Sequence, residues 1–100
     1  MGKNLINIAL FGLGRIGQMH ARNLVNHPEF NLKYVFDIDK KLSKKLSNKY
    51  KCLSINSPEI AFKDKNIKSI LIATSTPTHI KFISEAAKYK KVIFSRFLFK

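Results

Sequence analysis

The sequence predicts an α/β fold, a parallel sheet covered by helices on both faces, and three observations carry that expectation. Apolar runs alternate with amphipathic segments along all 100 residues. The first run, residues 5–11, passes without a polar spacer into Gly12-Leu13-Gly14-Arg15-Ile16-Gly17 and then into a helical pattern. Asp37 follows Gly17 by twenty residues, at the end of the second apolar run. Strands and helices joined by short connections make right-handed crossovers, which bury the sheet on both sides. The expected result is a Rossmann-type doubly wound domain of about five strands in the order 3-2-1-4-5, spanning residues 1–100 as one unit.

Each element follows from local pattern. Residues 5–11 read as a buried parallel strand, because such strands are near-continuous apolar runs. After the glycine turn, Gly17, Ala21 and Leu24 fall at i, i+4 and i+7 and form a stripe that can lie on a sheet, with Arg15, Gln18 and Arg22 opposite. Asn26-His27-Pro28 ends this helix, since proline disfavours helical conformation in the residue before it; His27 is expected in a solvated turn. Residues 32–36 form a second strand closing on Asp37. Asp39 is a helix N-cap, with Leu42, Leu46 and Tyr50 as the buried stripe and Lys40, Lys41, Lys44, Lys45 and Lys49 on the solvated face. Residues 53–55 are a short third strand. Ser57-Pro58-Glu59 starts a brief helix, with a cap, a proline at the first position and an acid facing the dipole, and it ends near Lys63. Residues 67–74 are the fourth strand, followed by a polar, proline-kinked loop, Thr74-Ser75-Thr76-Pro77-Thr78-His79. Ile80, Ile83 and Ala87 stripe a last helix, and Val92-Ile93-Phe94 begins a fifth strand.

The glycine turn carries the chemistry. Gly12 permits the tight turn, Gly14 lets backbone approach a diphosphate, and Gly17 lets helix and strand pack closely. N–H groups at the helix start then face the anion, and the Asp37 carboxylate accepts from the adenosine ribose hydroxyls. The lysines near Asp37 suggest a 2′-phosphate site, but the Asp37 carboxylate repels such a phosphate, so NAD is the expected cofactor.

Charge and composition bound the partners. Nineteen Lys plus Arg against six Asp plus Glu give a net charge of +13, the balance of a nucleic-acid binder. The lysines are spread along the chain and are not interleaved with aromatics or arginines that read bases, so no specific nucleic-acid partner is expected. One cysteine, Cys52, makes no internal disulfide and suits a reducing, cytoplasmic setting; it reads as a small buried side chain. No apolar stretch is long enough to span a bilayer, and no metal site is expected.

Several stretches together resemble the Gfo/Idh/MocA oxidoreductases, and within that family the inositol 2-dehydrogenases. They are Gly12 to Gly17 followed by His20-Ala21 and Asn23-Leu24, then Phe36-Asp37, then Ile72-Ala73-Thr74 with Thr76-Pro77-Thr78-His79. The resemblance implies hydride transfer between a polyol secondary alcohol and a nicotinamide. It adds Ala73, Thr74, Thr76, Pro77 and His79 as residues lining the nicotinamide half, beside Gly12, Gly14, Arg15, Ile16, Gly17 and Asp37. For His79 a local hydrogen bond at a helix start is the alternative. The family's Glu-Lys-Pro motif has Ser95, Arg96 and Phe97 in its place, so no catalytic residue is assigned. A substrate domain of the family's kind is not found in these residues, and the polyol needs one. The 100 residues are therefore expected to be a fragment inactive alone, with Phe97, Leu98 and Phe99 as a surface for association or homo-oligomer formation. A non-catalytic dinucleotide sensor and a basic nucleic-acid-binding domain are the competing readings.

Overall fold

The computed structural model describes residues 5–74 and 76–95, with the backbone alone for 76, 77, 79 and 95. Nine elements follow one another as β1 (Ile6–Phe11), α1 (Arg15–Asn26), β2 (Phe30–Phe36), α2 (Lys40–Tyr50), β3 (Leu53–Ser54), α3 (Pro58–Lys63), β4 (Ser69–Ile72), α4 (Thr76–Lys88) and β5 (Val92–Ser95). The sheet is parallel throughout, in the order β3-β2-β1-β4-β5. β1 lies at its centre. Ile8, Ala9, Leu10 and Phe11 are all buried, as a strand covered on both faces requires.

Two apolar layers sandwich the sheet. Ile8, Leu10, Leu32, Val35 and Leu71 pack under α1 and α2, which contribute Ala21, Leu24 and Leu46. Ala9, Phe11, Tyr34, Ile70 and Ile72 pack under α3 and α4, which contribute Ala61, Phe62, Phe82 and Ala86. Phe11 meets Phe36, Phe62 and Phe82 edge-on at 5.7, 5.5 and 5.0 Å between centroids, a favoured arrangement of aromatic quadrupoles.

Register in β2 shifts at Lys33: Ile8 pairs with Leu32 but Ala9 with Tyr34. The extra residue is a bulge, and its effect is to aim Lys33 and Tyr34 at the same neighbour, the Asp64 carboxylate. Lys33 Nζ and Tyr34 Oη each donate to Asp64 Oδ2 at 2.7 Å.

Several expected details differ. β2 starts two residues earlier than expected, at Phe30, and β3 is two residues long; Ile55 lies beyond it, buried, with its N–H on Val35 O at 3.1 Å. β4 is shorter than residues 67–74. α2 is rotated from the expected stripe: Ser43, Leu46 and Ser47 are buried, while Leu42 and Tyr50 are only half-buried. Ser43 is tolerated because its hydroxyl meets the Ser54 hydroxyl at 2.6 Å. In α4 the buried side is Phe82 and Ala86 with Ile83 half-buried; Ile80 is 60% exposed and Ala87 is exposed. The larger Phe82 ring wins the core position. The loop expected over residues 74–79 is also short, because α4 already begins at Thr76. Proline is accepted in that first turn, where its missing N–H leaves no helical hydrogen bond unmade.

Candidate functional site

The first βα turn is built by removing side chains. Gly12 sits at φ +98°, and a Cβ there lies 2.7 Å from the Ala73 carbonyl carbon and oxygen. Its N–H donates to Phe36 O at 2.8 Å, while Ala73 N–H donates to Phe11 O at 2.8 Å, so the turn is tied to both neighbouring strand ends. A Cβ on Gly17 would overlap the Gly12 carbonyl oxygen, which means that α1 touches the turn backbone to backbone. Gly14 is different in kind: nothing lies within 4 Å of its absent Cβ. Its space is open.

Gly14 is also the N-cap of α1, with no side-chain cap hydrogen bond and no acid in the first turn. Helical bonding starts with Gln18 N–H to Gly14 O at 2.8 Å, so the N–H groups of Arg15, Ile16 and Gly17 have no acceptor within the helix. Arg15 is exposed at this positive end of the dipole, a place where a cation is disfavoured unless an anion joins it. N–H groups without a helical acceptor, a cation and an open approach are the features with which helix N-termini take anions.

Asp37, half-buried at the end of β2, completes the turn. Its Oδ2 accepts Leu13 N–H at 2.7 Å and its Oδ1 accepts Asp39 N–H at 2.9 Å. Each oxygen keeps lone-pair capacity for a further donor. Asp39 in turn caps α2 through Leu42 N–H at 3.2 Å. A cleft of about 270 Å³ is lined by Gly12, Leu13, Gly14, Phe36, Asp37, Ile38, Ala73, Thr74, Thr78 and Phe82. It lies at the carboxyl ends of β1, β2 and β4, where ligands bind in open α/β sheets.

Of the sequence-predicted residues, Gly12, Gly14, Asp37, Ala73 and Thr74 meet in this cleft. Arg15 and Ile16 stand beside it at the helix start, and Gly17 is buried in the packing below. Thr76, Pro77 and His79 belong to the first turn of α4, with side chains outside the described residues. Arg96 and the tail residues Phe97, Leu98 and Phe99 also lie outside them. Sequence reasoning missed Ile38, which is 88% exposed on the cleft wall. An apolar residue between two acids, Asp37 and Asp39, was its available signal. Phe36, Thr78 and Phe82 join the lining as well.

Other candidates resolve into structure. Cys52 is half-buried against the α1 and α2 layer, and burial pushes its thiol up to about 11, which leaves it protonated and unreactive at neutral pH. His27 Nδ1 accepts Glu29 N–H at 3.1 Å in the turn after α1. Among the described residues no group of three or more His, Cys, Asp or Glu side chains is placed to hold a metal ion, and no helix is long and apolar enough to cross a membrane.

Comparison with known proteins agrees with this geometry. Residues 6–95 match the family model described as oxidoreductase family, NAD-binding Rossmann fold. The uncharacterized oxidoreductase YrbE of Bacillus subtilis is 32% identical over 95 residues, covering 94% of this chain and 28% of YrbE. Myo-inositol 2-dehydrogenase of Thermotoga maritima is 30% identical over 90 residues, 89% of this chain and 27% of that enzyme. The crystal structure of myo-inositol 2-dehydrogenase from Lactobacillus plantarum superposes with a TM-score of 0.85 at 26% identity, over 92% of this chain and 28% of that one. The chain thus spans a little over a quarter of the length of these relatives. With the strand order, the glycine cradle and the acid at the end of β2 all in place, the chain belongs to the Gfo/Idh/MocA oxidoreductase family, of which it is an NAD-binding Rossmann domain.

Proposed function

We propose that these residues hold NAD in an oxidoreductase that moves hydride between a secondary alcohol of an inositol-like polyol and the nicotinamide. The observation that carries the cofactor part is the contrast among the three glycines: two have no room for a Cβ, and the third, Gly14, opens onto the cleft beside unsatisfied helix N–H groups. The resemblance to inositol dehydrogenases carries the substrate part.

In this reading the N–H groups of Arg15, Ile16 and Gly17 and the Arg15 guanidinium bind the diphosphate. Asp37 accepts from the adenosine ribose hydroxyls and disfavours a 2′-phosphate, giving a preference for NAD(H) over NADP(H). Ile38 offers an apolar surface to the adenine. Ala73, Thr74 and Thr78, with Thr76, Pro77 and His79 at the start of α4, line the nicotinamide side. Once bound, the cofactor supplies the hydride acceptor; the chain supplies orientation and charge. The polyol is positioned by a further domain, and the setting is cytoplasmic, in keeping with a single cysteine that makes no internal disulfide.

Titration calorimetry with NAD, NADH and NADP tests the cofactor reading. Gly14→Val is expected to abolish binding while circular dichroism stays nearly unchanged, because its branched side chain fills the anion's approach and its Cβ has no protein atom within 4 Å. Unchanged affinity in the folded variant makes the turn structural only.

A further inference from the structure

Lys63, Lys65, Lys68, Lys90 and Lys91 are dispersed in sequence, yet they line one cleft of about 500 Å³, with Phe62 and Tyr89 among its walls. The topology gathers them. α3 ends at Lys63 and a turn leads into β4; α4 ends at Lys88 and a second turn leads into β5. β4 and β5 are parallel neighbours with Ser69 opposite Val92, so both turns arrive side by side at the amino end of the sheet.

The charge there is not balanced from within. Asp64 is occupied by Lys33 and Tyr34, and Glu59 lies 4.0 Å from Lys63 with both side chains exposed. Among the described residues no ion pair involves Lys65, Lys68, Lys90 or Lys91. Lys91 Nζ donates to the carbonyls of Asp64 and Ile67 at 2.8 and 2.7 Å. Burial, against the attraction of Asp64 and with the repulsion of Lys68, holds its ammonium below the ordinary lysine range.

Attraction to helix C-terminal dipoles accounts for Lys63 and Lys88, which lie in last turns. It does not account for Lys65 and Lys68, beyond the end of α3.

We infer that this cleft binds a compact polyphosphate anion, two or more linked phosphates held by clustered ammonium groups, at the end of the sheet opposite the dinucleotide cleft. Lysine ammonium groups are point charges that accept varied phosphate geometry, and among the described residues no arginine lines the cleft. A cleft of about 500 Å³ bounded by two turns takes a compact anion, whereas an extended nucleic-acid backbone calls for a long groove.

The test uses two matched variants. Lys90 and Lys51 both follow a helix with φ near +60°, at 59° and 57°, and only Lys90 lines the cleft. Lys90→Gly and Lys51→Gly each remove one charge and relieve the same backbone strain, so neither change unfolds the chain. Inorganic triphosphate is titrated into the full chain saturated with NAD, at low salt. We expect one site, weakened about threefold or more by Lys90→Gly and hardly at all by Lys51→Gly. NAD affinity is expected to be the same in both variants, which keeps this site separate from the cofactor reading. Equal weakening by the two variants reduces the effect to the general attraction of a chain with net charge +13 and overturns the proposal. Triphosphate binding that NAD abolishes assigns the anion to the glycine turn and also overturns it. Tighter Lys90-dependent binding of an oligothymidylate with the same number of phosphates replaces the compact anion by an extended backbone.

Discussion

At the carboxyl end of the sheet the chain leaves side chains out, and at the amino end it adds them. The first region consists of Gly12, Gly14 and Gly17, backbone packed on backbone, with helix N–H groups open. The second converges on Asp64: Lys33 and Tyr34 on one carboxylate oxygen, Asn66 N–H on the other at 2.8 Å, and Lys91 and Ile67 N–H on its carbonyl at 2.8 and 3.0 Å. Nearby, Asn31 donates to Asn7, and Asn7 donates to Asn66 O. At the open end the first N–H groups of α1 have no acceptor within the helix; the polar groups around Asp64 satisfy one another. The glycine turn and the Asp64 network thus lie at different ends of the sheet, and substitutions can separate cofactor binding from the stability that the network supplies.

The largest expected effect tests whether the open end is rigid. Gly17→Ala forces α1 away from the Gly12 carbonyl and should cost about 3 kcal/mol or more of stability by urea unfolding, the scale of severe overpacking. A cost below about 1 kcal/mol, an ordinary substitution, would mean that the helix can shift freely and the contrast fails. Next, Asp37→Ala should weaken NAD binding by about 1.5 to 3 kcal/mol, the range for a hydrogen bond to a charged group, in calorimetric titration. Equal NADP and NAD affinity in the unmutated chain would remove Asp37 as the discriminating residue.

The stapled end predicts a pH dependence. Hydrogen bonds from Lys33 and Tyr34 lower the Asp64 carboxyl from 3.8 to about 2. A lowered folded pKa contributes stability that is present above the unfolded value near 4 and is lost as pH falls toward 2. Allowing for the solvent contact of Lys33, Asp64→Asn should cost about 1 to 2 kcal/mol at pH 7 and almost nothing near pH 2. A pH-independent deficit would assign the cost to geometry and not to charge. Smallest is Tyr34→Phe, about 0.5 to 1.5 kcal/mol in unfolding, with NAD affinity unchanged. A change in NAD affinity would show that the two ends are coupled.

The open end was legible because its signal is local. Three glycines in six residues and an acid after the next strand state the turn, the open helix start and the carboxylate beside it without any long-range information. Ser57-Pro58-Glu59 likewise reads as a helix start because cap, proline and acid each act on adjacent backbone, and Ser57 Oγ does accept Glu59 N–H at 3.3 Å. The stapled end was illegible for the opposite reason. Lys33 and Asp64 are 31 positions apart, and they meet only because a bulge turns Lys33 and Tyr34 the same way. The α4 stripe was misplaced because apolar spacing alone admits Ile80, Ile83 and Ala87 as well as Phe82, Ile83 and Ala86; the aromatic space beside Phe11 decides, and it is invisible in sequence. Ser43 and Ser47 were left off the buried face of α2 because counting apolar positions cannot foresee hydroxyls satisfied by Ser54 and by the Lys44 carbonyl.

The Phe11 ring has a dynamic consequence. Phe36 and Phe82, which press on it, line the dinucleotide cleft. Phe62, which presses from another side, lines the lysine cleft and stacks on Tyr89 at 5.7 Å. A ring enclosed this closely turns over only when its neighbours part, because interiors are packed as densely as organic crystals. Its half-turn frequency, read from the line shapes of its paired ortho and meta protons, therefore acts as an internal clock for the breathing of both walls. Filling either hollow is expected to slow that clock, although no ligand atom touches the ring.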